Sequence, residues 1–300
     1  MAFDASPLDF EVGTLWEKIR TRSHQALSSG ALQSIPTDYE RVEHQGIAFV
    51  VRILANLVRK EKAKKQRPQD FNPFLPYEEE LFVTNLSATH LCLLNKFNVV
   101  DHHILVVTRA FEPQENWLNW RDFQALWACM AEIDGFAFYN GGQAAGASQA
   151  HKHLQVVPLP LVDEAVSLPI ETAIAAAEFQ NGIGRSPLLP FNHAIGQLDP
   201  TLLHQPDRMA EFALTLYQQL LSATAIAYQG DRQTAAYNWL ATRHWMMIVP
   251  RSQESYQSIP VNALGYAGSL LVRNQQQMQQ LKQLGAVNLL CKVGVADQAT

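Results

Sequence analysis

His151, His153 and Gln155 stand at alternate positions just downstream of a glycine-rich stretch. That stretch runs from Asn140 through Gly141, Gly142 and Gly146 to Ser148 and Gln149. Residues 136–139 before it and 154–157 after it are aromatic, aliphatic and β-branched, which predicts two strands joined by a small-residue loop. Alternate residues of a strand share a face. His151, His153 and Gln155 therefore fall on one side, and Lys152, Leu154 and Val156 on the other. Two imidazoles and an amide then stand beside a loop whose backbone N–H groups can approach a ligand.

Three readings fit these residue types. In the first, an imidazole is a nucleophile. With an ordinary pKa of ~6.5, much of it is unprotonated near neutral pH. Attack on phosphorus forms a phosphoramidate and splits one displacement into two easier ones. Loop N–H groups, with Ser148 and Gln149, would stabilise the phosphate oxygens as charge builds. Gln155 can hydrogen-bond a phosphate oxygen but has no titratable proton, so it is no acid. In the second, the histidine pair holds zinc or iron, with a third ligand from a carboxylate or from His102, His103, His193 or His244. In the third, both histidines are satisfied polar residues at a sheet edge. Spacing alone leaves all three open. A serine hydrolase does not fit, because the stretch Gly146 to Ala150 lacks the second glycine of a nucleophile elbow. No Walker-type loop or Gly-x-Gly-x-x-Gly is present.

The elements that must position this site follow from periodicity. A helix is expected from Phe10 to Ser28, with Leu15, Ile19, Arg22 and Ala26 at helical spacing and Gly30 as its stop. Residues 46–54 read as a buried strand. Residues 91–97 and 103–108 read as antiparallel neighbours, and 121–134 as a helix closed by Gly135. After Pro160 the stretch 161–190 reads as loop and short helix, and a boundary is expected there. The catalytic part would span 1–165, and a part completing the site 186–300. Within the second part, a strand over 191–196 precedes a helix from Pro206 to Tyr228, with Met209, Phe212, Leu216, Leu220 and Ala223 inward. A hairpin follows over 235–249. Residues 267–272 fit strand or helix, and the glutamine-rich 275–284 fits a surface helix. Strands with helices to one side make an α+β pattern rather than a βαβ alternation.

Composition bounds the partners. A net charge of −5 argues against a general nucleic-acid surface, and no apolar run approaches the ~20 residues of a membrane span. The first residues show no basic stretch leading into an apolar core, so no secretory signal is expected. Three scattered cysteines, Cys92, Cys129 and Cys291, fit a reducing cytoplasm better than a disulfide framework. The basic run 59–67 reads as a solvated surface or as a cationic arm for a polyphosphate.

The stretch Gly146 to Gln155, with its His-x-His-x-Gln pattern, resembles the diadenosine tetraphosphate phosphorylases, also called ATP adenylyltransferases. These belong to the transferase branch of the histidine-triad superfamily. The runs 94–98, 103–108 and 238–251 resemble the same family, so the likeness spans about 45 to 290. It implies a histidine-triad-like α+β fold. It implies that His153 takes AMP from a dinucleoside polyphosphate, that ATP leaves, and that inorganic phosphate then releases ADP. Two in-line displacements give net retention at phosphorus. His151, Ser148, Gln149 and Gln155 would orient the phosphates, Asn140 and Gly146 would line the nucleotide site, and Asn95, Lys96 and Arg52 would meet the polyphosphate. Thr242, Met247 and Arg251 would lie near the far end of the ligand. Glutamine rather than histidine at 155 implies transfer to phosphate over transfer to water. Mg2+ is expected with the polyphosphate, because it would neutralise the leaving ATP; no carboxylate pair stands out as its ligand. The competing readings are a nucleotidyltransferase acting on a UDP-sugar, a His-x-His metalloenzyme, and a nucleotide-binding protein without turnover.

Overall fold

Leu15, Ile19, Ser23 and Ala26 are the buried face of the first helix, α1 (Leu15–Ser29), in the computed structural model, which describes residues 7–54, 72–162 and 167–297. The basic run 59–67 lies outside the described residues. The helix starts at Leu15 rather than near Phe10. The Glu132 carboxylate accepts the N–H groups of Gly13 and Leu15 there, supplying the cap that a helix N-terminus needs. Ser23, not Arg22, takes the inward position. Gly30 ends the helix in a left-handed conformation.

A hairpin follows, β1 (Thr37–His44) and β2 (Ile47–Leu54). The first of these strands escapes sequence reading because Asp38, Glu40, Arg41 and Glu43 make it look like a polar loop. It is a half-exposed edge, where charged residues are expected.

The large sheet comprises β3 (Phe82–Asn85), β4 (His90–Leu94), β5 (Ile104–Thr108), β6 (Gly135–Gly141) and β7 (His153–Pro158). It also takes in β8 (Glu178–Gln180), β9 (Ile183–Arg185), β10 (Ala194–Gln197), β11 (Tyr237–Ala241) and β12 (Trp245–Pro250). Its order is β3-β4-β5-β7-β6-β11-β12-β10-β9-β8, all antiparallel. The β6–β11 pairing joins residues before 165 to residues after 186, with Asn140 opposite Asn238. One sheet therefore runs through both portions of the chain. Two residues each form β13 (Ser255–Tyr256) and β14 (Ile259–Pro260), and β15 (Ser269–Val272) pairs parallel with β2.

Helices α2 (Trp120–Glu132), α3 (Glu171–Ala175), α4 (Pro206–Ala223), α5 (Ala263–Tyr266), α6 (Gln275–Leu284) and α7 (Ala286–Val293) complete the fold. α2 ends at Ile133 in extended conformation. Gly135 does not close the helix but opens β6, where Val157 O would sit 2.9 Å from any Cβ. α4 stops at Ala223, short of Tyr228, and Phe212 points outward while Tyr217 and Leu221 turn in. The β8–β9 hairpin and α7 were not expected; very short strands carry too few residues to show alternation.

Two apolar layers sandwich the large sheet. On one side α1, α2 and α4 cover Leu154, Val156, Tyr139 and Trp239. On the other, the second sheet, α6 and α7 cover Phe136, Phe138, Val157, Leu240 and Met247. A third, smaller cluster places Phe74 against Leu91, Leu93, Leu105 and Val107. Among the described residues no helix is long and apolar enough to cross a membrane.

Candidate active site

β7 alternates as its sequence requires. Leu154 and Val156 enter the helical layer, and His153 and Gln155 face the other way, opposite Val107 and Leu105 of β5. His153 Nδ1 lies 2.8 Å from the His151 carbonyl oxygen. A carbonyl only accepts, so Nδ1 carries the proton and Nε2 presents its lone pair. No hydrogen bond among the described residues uses that Nε2. Burial lowers the His153 pKa to about 4, with the nearby His151 ring adding to the effect and the His151 carbonyl opposing it. The ring is therefore neutral, with the right tautomer for nucleophilic attack, across the whole physiological range.

His151 is held differently. Its Nε2 donates to Thr108 O at 2.8 Å, and its Nδ1 lies 3.0 Å from Asn72 Nδ2. Both ring nitrogens are thus spent on protein groups, and its carbonyl orients His153. This ring holds the strand; it does not point an N–H at a phosphate. The same saturation removes it as a metal ligand. Among the described residues no three His, Cys, Asp or Glu side chains come together to hold an ion. Phe74 lies over both imidazoles, 5.3 Å from His153 and 5.5 Å from His151 by ring centroids. This apolar cover keeps bulk water from the nucleophile.

Gln155 stands beside His103, whose pKa burial lowers to about 3, with the Gln155 amide opposing the shift and the His153 ring adding to it. Asn95 Nδ2 reaches His103 Nδ1 at 3.2 Å. Asn95, His103 and Gln155 thus extend the polar row of His153 along one face of the sheet. Lys96 is paired with Glu78 at 2.6 Å.

The glycine loop is a single turn, 143–145, between Gly142 (φ 88°) and Gly146 (φ 89°). The N–H groups of Ala145, Gly146 and Ala147 are used inside the turn. Those of Ser148, Gln149 and Ala150 have no partner among the described residues, so the free donors stand one step later than the glycines. A Cβ at Gly146 would lie 2.8 Å from Asn262 Cβ and 3.0 Å from Val261 O. Gly146→Ala combines that contact with a left-handed backbone, and is expected to lose about 1–3 kcal/mol. A thermal melt together with KM checks it; an unchanged melt and KM would contradict the assignment.

Arg251, Asn238 and Asn140 form a buried chain beneath this loop. Arg251 Nη1 donates to Asn238 Oδ1 at 2.6 Å, and Asn238 Nδ2 donates to Asn140 Oδ1 and to Ala145 O, each at 2.8 Å. The remaining Arg251 donors go to the carbonyls of Val261, Gln253 and Val293. Arg251 is therefore a scaffold for the loop rather than a contact with ligand. Asn140 Oδ1 accepts a second bond from Ala263 N, which fixes its amide and turns Nδ2 away from both donors.

Three expected residues lie apart from the histidines. Arg52 sits in the small sheet and donates to Leu161 O and Thr37 Oγ1. Thr242 caps the β11–β12 turn, four residues or about 13 Å along the strand from the Asn238 level. Met247 shares the face of Gln155 but lies three strands away, about 14 Å, with Phe138 and Leu240 between and no exposed surface.

Other residues of the site carry no clear motif. Lys152 is fully buried on the helical side, where its ammonium meets Asp122 at 2.6 Å, Trp117 O at 2.9 Å and Glu112 at 3.3 Å. Burial alone would raise the Asp122 pKa, but Lys152 and the His90 hydrogen bond outweigh it and bring it down to about 2. A lysine alternating with Leu154 and Val156 is the one sequence signal for this pair. Gln114, which bonds the main chain of His153, left no signal at all.

Buried neutral histidines also set acid stability. His103 and His153 are joined by His193, whose pKa burial lowers to about 4. The unfolded chain takes up these protons near pH 6.5 and the folded chain only near 3–4. Stability is therefore complete above about pH 6.5 and falls with pH by up to roughly 1.4 kcal/mol per unit per histidine. Urea midpoints at pH 7 and pH 5 measure this; equal midpoints would contradict it.

The fold and the histidine strand place the protein in the histidine-triad-like α+β class. The family profile for the Ap4A phosphorylase N-terminal domain matches residues 5–176, and that for the ATP adenylyltransferase C-terminal domain matches residues 187–296. The chain belongs to the Ap4A phosphorylase family. Diadenosine 5',5'''-P1,P4-tetraphosphate phosphorylase 2 of Saccharomyces cerevisiae is 28% identical over 235 residues, covering 70% of this chain and 71% of its own. Protein APA1 of the same yeast is 25% identical over 291 residues, covering 88% of each chain. The crystal structure of yeast Ap4A phosphorylase Apa2 superposes with a TM-score of 0.77 at 23% identity, over 98% of this chain and 97% of that one. Apa2 in complex with Ap4A superposes with a TM-score of 0.74 at the same identity, over 97% of this chain and 100% of that one.

Proposed function

We propose that the protein cleaves diadenosine tetraphosphate by phosphorolysis, giving ATP and ADP through an adenylyl-His153 intermediate. The observation that carries the reading is the neutral, oriented imidazole, with Nδ1–H on the His151 carbonyl and Nε2 left for attack. Nε2 attacks an α-phosphorus; the N–P bond forms, the bond to the bridging oxygen breaks, and ATP leaves with that oxygen. A phosphate oxygen then attacks the same phosphorus, the N–P bond breaks, and ADP is released. The N–H groups of Ser148, Gln149 and Ala150 are the donors for the oxygens of the reacting phosphorus. Gln155 hydrogen-bonds without supplying a proton, which favours an acceptor that brings its own negative charge over water. Asn95 and Lys96 serve the polyphosphate, with Lys96 exchanging Glu78 for phosphate. Among the described residues no observation favours a UDP-sugar or a metal reaction.

Mg2+ would enter with the polyphosphate and neutralise its charge; among the described residues no group of three His, Cys, Asp or Glu side chains stands ready to hold it. Cys92, Cys129 and Cys291 are free thiols, which supports a reducing cytoplasm as the compartment.

The test is product analysis with diadenosine tetraphosphate, magnesium and enzyme, with and without phosphate. ATP plus ADP only when phosphate is present is the expected result. ATP plus AMP without phosphate would make the protein a hydrolase and overturn the role given to Gln155.

A further inference from the structure

β6 and β7 are ladder partners only from Gly135↔Pro158 to Phe138↔Gln155. The ladder stops there, and two residues further, where Asn140 should face His153, a side chain takes its place. Gln114 Oε1 accepts the His153 N–H at 2.9 Å. Its Nε2 donates to the carbonyl oxygens of His153 at 3.3 Å and Asn140 at 3.1 Å. A primary amide carries one carbonyl and two N–H donors, so it can serve both strands at once, as a peptide group would. Gln114 is itself immobile. It is buried, its N–H donates to Ala150 O at 2.7 Å, and its carbonyl accepts from the buried Tyr139 hydroxyl.

We propose that Gln114 is a positioning residue for the nucleophile, an amide wedge that parts β6 from β7 and fixes the main chain of His153. The inference rests on the adenylyl-transfer reading above. Both polar main-chain groups of His153 turn toward β6, and without Gln114 they would face a gap. The imidazole direction follows from that main chain, because Nδ1–H is tied to the carbonyl two residues back. Asn140, held by the same amide, keeps a constant distance from His153. The wedge therefore fixes the spacing of the two strands at His153, and with it the place of the imidazole. A shift of the order of 1 Å at a reacting atom lowers a rate by about a hundredfold.

The test uses two variants of the full-length protein. Gln114→Met keeps the length of the side chain and removes all three hydrogen bonds. Expected are a single-turnover rate of adenylyl transfer about a hundredfold lower and a dinucleotide Kd within about threefold of the parent. Gln114→Glu presents oxygen to two carbonyls when ionised, and regains a donor when protonated. Its rate is expected to climb as pH falls from 8 to 5.5, a range in which His153 stays neutral, while the parent shows no such climb. A folded Gln114→Met enzyme with a parental single-turnover rate would overturn the proposal, as would a Gln114→Glu enzyme with the parent's pH profile. Should Gln114→Met not fold, the Gln114→Glu profile decides alone. Long-range proton–nitrogen spectra of the histidines separate this idea from the activity. Whatever the substrate, His153 is expected to be a single Nδ1–H tautomer in the parent and a mixture in Gln114→Glu at pH 8. A pure tautomer in both would also overturn the proposal. A parent without turnover that still shows the tautomer change would contradict the proposed function and leave Gln114 in its role.

Discussion

Replacing His153 by alanine lowers kcat by roughly 10^4- to 10^6-fold, the range seen when a covalent nucleophile is lost. Binding of the dinucleotide is expected to persist, since the loop donors at 148–150, Asn95 and Lys96 are untouched. The structural reason is specific. No second imidazole can substitute, because both His151 nitrogens are held by Thr108 and Asn72. His103 lies on the same face, but its Nδ1 is held by Asn95 and its ring abuts Phe138, 5.8 Å away by centroids. Steady-state kinetics and a binding titration on the same preparation measure the split. A His153→Ala enzyme that keeps more than about a hundredth of parental kcat would contradict the assignment.

Lys152→Met is expected to be the most destabilising single change at the site. It leaves Asp122 ionised, fully buried and without its ammonium partner, a defect worth about 3–5 kcal/mol. In a chain of this size that lowers Tm by roughly 10 °C. The pair also anchors the strand. The Lys152 N–H donates to Glu112 O, and its carbonyl accepts from Thr108 N, so the segment between the two histidines is tied at both ends of one residue. Changing Asp122 to asparagine in the same chain removes the uncompensated charge, and recovery of at least half of the lost stability is expected. The buried charge would not be the cause if the double variant melted no higher than Lys152→Met.

Strand alternation was legible because it is local. The pattern around His153 and Gln155 sorted β7 into its two faces correctly, and the apolar runs marked β4, β5, β6, β11 and β12. The resemblance carried the family. Partners distant in sequence were not legible. Asn72, Thr108 and Gln114 reach the histidines across gaps of 79, 43 and 39 residues. None of them has a residue type that singles it out in a loop. Arg251 shows the converse. An arginine near a nucleotide site invites a phosphate role, yet its donors are consumed by Asn238 and by carbonyls, a fact only the tertiary contacts reveal. Boundaries failed for physical reasons as well. Glu132 caps α1 from the far end of α2, and charged β1 hides an edge strand.

The central claim is a covalent bond between phosphorus and His153, and intermediate trapping tests it most directly. The enzyme, stripped of phosphate, is mixed with diadenosine tetraphosphate and analysed by intact-mass and peptide mass spectrometry under non-acidic conditions. The expected result is one ATP released per site and one AMP group on the peptide containing His153, lost as ADP when phosphate is added. Turnover with no adduct on that peptide, or an adduct that phosphate does not discharge, would contradict the account.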